Sequence, residues 1–80
     1  MLRVYDATGH ADVLPDEGGT YHLRCWHTYR LHCSEDPGLP GSVGSCFQPS
    51  DGSEWIVEAN FGDFIGTLPV LGYRISLSSS

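Results

Sequence analysis

The chain contains no lysine. Its cations are four arginines, set against ten aspartates and glutamates, and the formal net charge is −6. Binding to nucleic acid depends on many cationic side chains that displace counterions from phosphates. Anionic membrane surfaces attract basic segments for the same reason. The composition therefore argues against direct binding to nucleic acid or to a membrane, and it predicts a partner that is neutral or, in preference, a basic protein surface.

Long apolar runs are also missing, since none approaches the roughly 20 residues that a membrane-spanning helix needs. The opening residues, MLRVYD, lack the charged-then-apolar pattern of a secretory signal. Both observations predict a cytoplasmic protein, in a compartment where thiols stay reduced. The cysteines Cys25, Cys33 and Cys46 are odd in number, so they cannot all pair within one chain. One disulfide between any two of them stays open as an alternative.

The sequence lacks the patterns of enzyme active sites. No glycine-rich nucleophile turn accompanies a cysteine and a histidine, and no lysine follows a glycine-rich loop. The segment 51–54, DGSE, resembles part of a calcium loop but lacks the other ligand positions. The sequence therefore predicts no catalytic residue and no cofactor.

Histidines and cysteines are concentrated in one part of the chain: His22, Cys25, His27, His32 and Cys33. No Cys-x-x-Cys pair is present, although structural zinc sites commonly use one. On a strand, Cys25 and His27 share a face and could bind zinc together with Cys46. We prefer the interpretation that the thiols are small apolar core groups without a metal, and a zinc-stapled interaction module is the alternative.

Eighty residues suffice for one domain, which we expect over residues 1–77, with residues 78–80 as a frayed tail. Ten glycines and five prolines indicate many turns and short elements. The predicted fold class is mainly β: a single small antiparallel sheet or half-barrel of about five to six strands.

Residues 21–33 carry the clearest strand pattern, because apolar and polar side chains alternate with period two. Thirteen extended residues would span roughly 43 Å, which is more than the expected diameter of so small a domain. The strand must therefore bend or turn near residues 26–28. Since no glycine, proline or asparagine marks a tight turn there, we expect a bent, continuous strand in preference to a hairpin.

Further strands follow from similar patterning, with Pro69 expected to break the ladder between the last two because proline lacks an N–H. The predicted strands are 2–6, 43–47, 54–61, 64–68 and 71–77. An α+β fold with a short helix at 53–61 is the alternative, since Ser53 could cap a helix that Gly62 ends. The segments 7–19, 34–42 and 48–52 are predicted to be loops.

The polar face of segment 21–33 admits two interpretations. In the first, Arg24 and Arg30 pair across strands with Glu54 and Glu58. In the second, Trp26 and its flanking arginines form a binding patch, because tryptophan and arginine dominate the energetics of protein interfaces.

The profile of the whole chain resembles small phage-encoded inhibitors of the anti-CRISPR type. The resemblance rests on one tiny domain, strong acidity, no catalytic motif and no targeting signal across all eighty residues. Such proteins share no common motif, so no residue role is carried over. The resemblance implies a protein that blocks a nucleic-acid-handling complex in the cytoplasm of its bacterial host.

The physical mechanism would be DNA mimicry, in which loop carboxylates occupy a basic groove that normally receives phosphates. A monomer is expected, and a small phage structural or accessory protein is a further alternative. The candidate partner-binding residues are Asp12, Asp16, Glu17, Glu35, Asp36, Asp51, Glu54, Glu58, Asp63 and Trp26.

Overall fold

A computed structural model describes residues 2–7, 11–41 and 43–79, and there the fold is built from strands without a helix. The mainly β prediction is confirmed. The strands are β1 (Arg3–Asp6), β2 (Asp12–Val13), β3 (Thr20–Arg24), β4 (Thr28–Cys33), β5 (Gly44–Phe47), β6 (Trp55–Asn60), β7 (Gly66–Val70) and β8 (Tyr73–Ser78).

The strands form two sheets, whereas the sequence predicted one sheet with fewer strands. The five-stranded sheet has the order β2-β1-β4-β6-β5, and the three-stranded sheet has the order β3-β8-β7. Every pairing is antiparallel except that of β3 with β8, which is parallel. Each sheet has one apolar face, and two layers bury both faces against each other. The core includes Val4, Leu31 and Val57 from the larger sheet, and Leu23, Ile75 and Leu77 from the smaller.

Residues 21–33 break into two strands in different sheets, so the expectation of a continuous strand is wrong although the position of the break is right. The longest dimension of the molecule is 37 Å, too short for thirteen extended residues. The break lies at Trp26, which has a left-handed backbone with φ of 67°. Its N–H donates to the carbonyl of Gly62 at 2.8 Å, while the N–H of Cys25 still donates to Ser78 at 2.9 Å. The chain thus leaves one sheet at Cys25 and enters the other at Thr28.

The ambiguous segment 53–61 contains β6, so the helical alternative is wrong. β6 pairs with β4 on one side and with β5 on the other, which makes it a central strand. Val57 and Ala59 are completely buried, as the alternation in the sequence requires. The shorter predicted strands appear as β1, β5 and β7 with shifted ends, and the predicted loop 7–19 contains the short strand β2.

Pro69 lies inside β7 and does not interrupt the ladder, contrary to the prediction. Among the described strands, β7 pairs with β8 alone and is therefore an edge strand, and Pro69 is opposite Arg74. Leu71 and Gly72 form the two-residue turn, so Val70 and Tyr73 are the first hydrogen-bonded pair. Pro69 therefore occupies a position where an N–H would point away from the sheet, and its missing donor costs no ladder bond.

Ser78, the first residue of the expected tail at 78–80, belongs to a strand. Ser78 is the last residue of β8 and is opposite Arg24 of β3. Its carbonyl accepts the hydrogen bond from Cys25. Ser79 is exposed, and residue 80 lies outside the described residues.

Candidate functional site

The strand directions bring the acidic loops of the five-stranded sheet to one end of the molecule. β4 finishes at Cys33, which is opposite Trp55, the first residue of β6. β5 finishes at Phe47, which is opposite Ile56. The loop after β4 and the loop joining β5 to β6 therefore emerge at the same end.

The loop before β3 reaches this end from the other sheet. β3 begins at Thr20, opposite Arg74 near the start of β8, and the guanidinium of Arg74 donates a hydrogen bond to the carbonyl of Gly18. Glu35 lines a cleft together with Leu71 from the β7–β8 turn. Three loops thus lie at one end of the molecule, and we call their six carboxylate residues the acidic end: Asp16, Glu17, Glu35, Asp36, Asp51 and Glu54.

An aspartate shapes each of these three loops in the same way. Its side chain accepts a hydrogen bond from the backbone N–H two residues later, which is the geometry of an Asx turn. The donors and distances are Gly18 to Asp16 at 2.9 Å, Gly38 to Asp36 at 3.1 Å and Ser53 to Asp51 at 3.0 Å. The loops are therefore held in place by the carboxylates themselves.

Hydrogen bonding keeps two of these aspartates ionised. The pKa of Asp16 is lowered chiefly by its hydrogen bond with His22, at 2.8 Å, and also by the N–H of Thr20. The pKa of Asp51 is lowered by the N–H and the hydroxyl of Ser53. Both carboxylates consequently stay ionised to a lower pH than an ordinary aspartate.

Histidines, and not arginines, pair with carboxylates at the acidic end. His22 contacts Asp16, and His32 contacts Glu54. The sequence analysis placed both histidines on a polar strand face and missed these partners. The available signal was the Asp-x-Gly pattern at 16–18, which indicates a tight loop that returns toward β3.

Arginine neutralises few of the carboxylates in the described part of the chain. The ion pair found there with an arginine joins Arg3 to Asp12, at 3.8 Å and with both side chains half exposed. Arg30 lies opposite Glu58 as the register predicts, but the two make no ion pair within 4.0 Å. Arg24 belongs to the other sheet, opposite Ser78, so the predicted pairing across strands with Glu54 or Glu58 is wrong for this residue.

The other four candidate residues lie away from the acidic end. Asp12 and Glu58 are on the outer face of the five-stranded sheet, opposite Tyr5 and Arg30 respectively. Trp26 and Asp63 are at the opposite end of the molecule, because Trp26 is bonded to Gly62 beyond the last residue of β6. The ten candidates therefore do not form one surface.

Trp26 is exposed and firmly held. Its side chain is 66% exposed. Asn60 donates to the carbonyl of Trp26 at 3.2 Å, and its own side-chain oxygen accepts from the N–H of Gly62 at 2.8 Å. Phe64 and Ile65, just beyond Gly62 in the sequence, are also exposed. The predicted patch of tryptophan and flanking arginines is split, since Arg24 and Arg30 are on different sheets.

The cysteines are free thiols, with Cys25 and Cys33 buried and Cys46 exposed. Cys33 and Cys46 flank β6, so their backbones are about two strand spacings, roughly 10 Å, apart, beyond the reach of a disulfide. Cys25 is buried while His27 is exposed, so the two do not share a face as the zinc alternative requires. Among the described residues, no three potential ligands are grouped for a metal ion.

Comparison with protein-family models, curated proteins and solved structures found no match to this chain. In the described residues, no helix has the length and apolarity needed to cross a membrane.

Proposed function

We propose that this chain is a small acidic inhibitor that binds a basic surface of a nucleic-acid-handling complex in the cytoplasm of a bacterial host. In this proposal the acidic end occupies a groove that otherwise receives a phosphate backbone, as in anti-CRISPR proteins that act as DNA mimics. The protein acts as a monomer by binding, without a catalytic step.

The observation that carries the proposal is the convergence of three acidic loops at one end of the molecule. Six of the ten carboxylates belong to these loops, and the ion pairs at this end involve histidines. Among the described residues, no arginine guanidinium lies within 4.0 Å of a carboxylate oxygen at this end. The acidic end therefore presents a concentrated negative field to a partner.

The geometry also favours a low entropic cost of binding. The aspartates at 16, 36 and 51 are oriented by backbone N–H groups before any partner arrives. Glu17 and Glu35 are exposed in the same loops and are free to contact the partner's cations. Pre-oriented loops lose less conformational freedom on binding than mobile ones, so more of the electrostatic attraction remains as affinity.

A pair of charge-matched variants tests the proposal. The first replaces three carboxylates of the acidic end, as Glu17→Gln, Glu35→Gln and Asp36→Asn. The second replaces three carboxylates elsewhere, as Asp12→Asn, Glu58→Gln and Asp63→Asn. Each immobilised protein captures binding proteins from a bacterial lysate at about 50 and about 300 mM salt, a range over which surface charges become screened. Captured complexes are then assayed for DNA binding with and without the inhibitor.

We expect the wild type and the second variant to capture a nucleic-acid-binding complex at low salt and to displace its DNA. The first variant should lose at least about tenfold in capture, because its charges are removed where the partner binds. Equal losses in both variants would show that only net charge matters. Capture that is indifferent to salt, or that leaves DNA bound, would contradict the proposal.

A further inference from the structure

β5 is an edge strand whose four residues are all exposed. It pairs with β6 on one side, and within the described residues no segment pairs with its other side. The strand consists of Gly44, Ser45, Cys46 and Phe47, so it carries neither charge nor proline. Charge and proline are the usual means by which proteins prevent other chains from pairing with a sheet edge.

The ladder shows which backbone groups point outward. The N–H of Asn60 donates to the carbonyl of Val43, so these two residues form a hydrogen-bonded pair. Pairs alternate along an antiparallel ladder, so Ser45 and Phe47 also bond to β6. The N–H and C=O groups of Gly44 and Cys46 therefore point away from the sheet. They form the unpaired hydrogen-bonding row that an additional strand requires.

Each of the other three edges carries at least one obstruction to an added strand. On β7, Pro69 lacks an outward N–H. On β3, the N–H of Arg24 donates to the hydroxyl of Tyr29 at 2.8 Å, and the backbone of Thr20 is bonded to Asp16 at both its N–H and its C=O. β2 has only two residues, one of which is an aspartate. Among the described strands, β5 is thus the edge without an obstruction of this kind.

Charge near β5 favours a basic occupant. The loop after β4 begins at the end of the sheet where β5 finishes, and it carries Glu35 and Asp36. β5 also runs toward the acidic end, where the β5–β6 loop contains Asp51. A strand paired with β5 would extend past these carboxylates, and lysine or arginine at its end would meet opposite charge.

A second copy of this chain fits the edge less well. Each molecule has a net charge of −6, so two copies repel each other as they approach. Paired four-residue strands would also bury far less than the roughly 1,200 Å² of a stable interface. An extended segment of a larger basic partner avoids the repulsion and can add contacts elsewhere.

We propose that β5 receives an extended, lysine- or arginine-containing segment of the partner as an additional strand, so that backbone pairing and the acidic end act together. This inference rests on the proposed function, since it names how the basic partner is held. The added strand bonds to Gly44 and Cys46, and its apolar side chains contact Phe47, which is 52% exposed.

The test uses the full chain, labelled for NMR, and two synthetic hexapeptides as probes: one alternates lysine with valine, the other glutamate with valine. We expect the basic peptide to shift the amide signals of Gly44 and Cys46 and to slow their hydrogen exchange. Cys46→Pro removes one outward N–H. It should weaken the binding of this peptide at least about tenfold, the size expected for a lost hydrogen bond and a displaced strand. Cys46→Ser keeps the N–H and should bind within about twofold of the wild type.

Amide hydrogen exchange at Gly44 and Cys46 of the wild type tests strand addition even if Cys46→Pro folds poorly. The basic peptide could instead shift only the amide signals of the loops at the acidic end and leave hydrogen exchange at Gly44 and Cys46 unchanged. That result overturns strand addition and leaves the proposed function standing. Equal binding of the acidic peptide at β5 overturns the basic partner and counts against the proposed function as well. Protection of these amides that grows with protein concentration alone would identify a second copy as the occupant and also overturn the inference.

Discussion

Asn60 fixes the backbone of Trp26 across the corner where the chain passes from one sheet to the other. The amide of Asn60 donates to the Trp26 carbonyl at 3.2 Å and to the Thr28 hydroxyl at 3.3 Å, and its oxygen accepts from Gly62. The two residues are 34 positions apart in sequence. One side chain therefore joins the end of β6 to the corner between β3 and β4.

Replacing this side chain should destabilise the fold. Asn60→Ala removes three hydrogen bonds at an exposed position, and we expect a loss of about 1–2 kcal/mol in the free energy of unfolding. Urea denaturation measures it, with Ser45→Ala as an exposed strand control that should change by less than about 0.5 kcal/mol. A value for Asn60→Ala equal to that of the control would show that the corner does not depend on Asn60.

At position 26, glycine should give a more stable protein than alanine, which is the reverse of the usual order. With φ of 67°, any residue with a Cβ is strained there, and the Trp26 side chain is 66% exposed, so little burial is lost. We expect Trp26→Gly to be more stable than Trp26→Ala by about 1 kcal/mol. Thermal and urea unfolding of the two variants provide the comparison, and an alanine variant that is the more stable would contradict the left-handed corner.

Gly44 should not tolerate a side chain. A Cβ at this position would lie 1.8 Å from the backbone oxygen of Glu58, so β5 would have to move away from β6. We expect Gly44→Ala to cost about 1–3 kcal/mol, the range for forced overpacking, and to increase amide exchange along β5. Ser45→Ala again serves as the control. Unchanged exchange along β5 in the alanine variant would mean that the strands are not so closely apposed.

The pH dependence of stability should show the contribution of Asp16. Its folded pKa lies below the ordinary 3.8, chiefly because of His22. The stabilisation of the fold by ionised Asp16 is fully present above the ordinary pKa of 3.8. It is lost as the pH falls through the lower folded pKa. Carboxyl NMR titration should show Asp16 ionising below the ordinary value. In His22→Ala this pKa should move partway back, since the N–H donors of Gly18 and Thr20 remain. An identical titration in both proteins would exclude the His22 contact in solution.

Local patterns in the sequence were sufficient to predict most of the strands. Alternation placed Leu31, Val57, Ile75 and Leu77 on buried faces, and all four are at most 2% exposed. The pattern failed at His27, predicted on the apolar face but exposed, because the chain leaves one sheet before this residue. A period-two pattern does not reveal a change of sheet, since the strands on both sides of the corner keep the same alternation.

The candidate site was predicted residue by residue but not as a surface. Acid-rich loops were recognisable from composition, and two of them contain an Asp-x-Gly pattern, at 16–18 and 36–38. Which loops meet depends on strand order and direction, and these follow from pairing between segments distant in sequence. Trp26 was grouped with the carboxylates for this reason, although it lies at the other end of the molecule.

The sequence by itself determined the charge of −6, the mainly β character and many of the buried side chains, because each depends on composition or on neighbours a few positions away. Only the tertiary structure decided that the fold has two layers, that six carboxylates share one end and that β5 is an open edge. These features arise from long-range pairing, whose register is set by how the two apolar faces pack against each other.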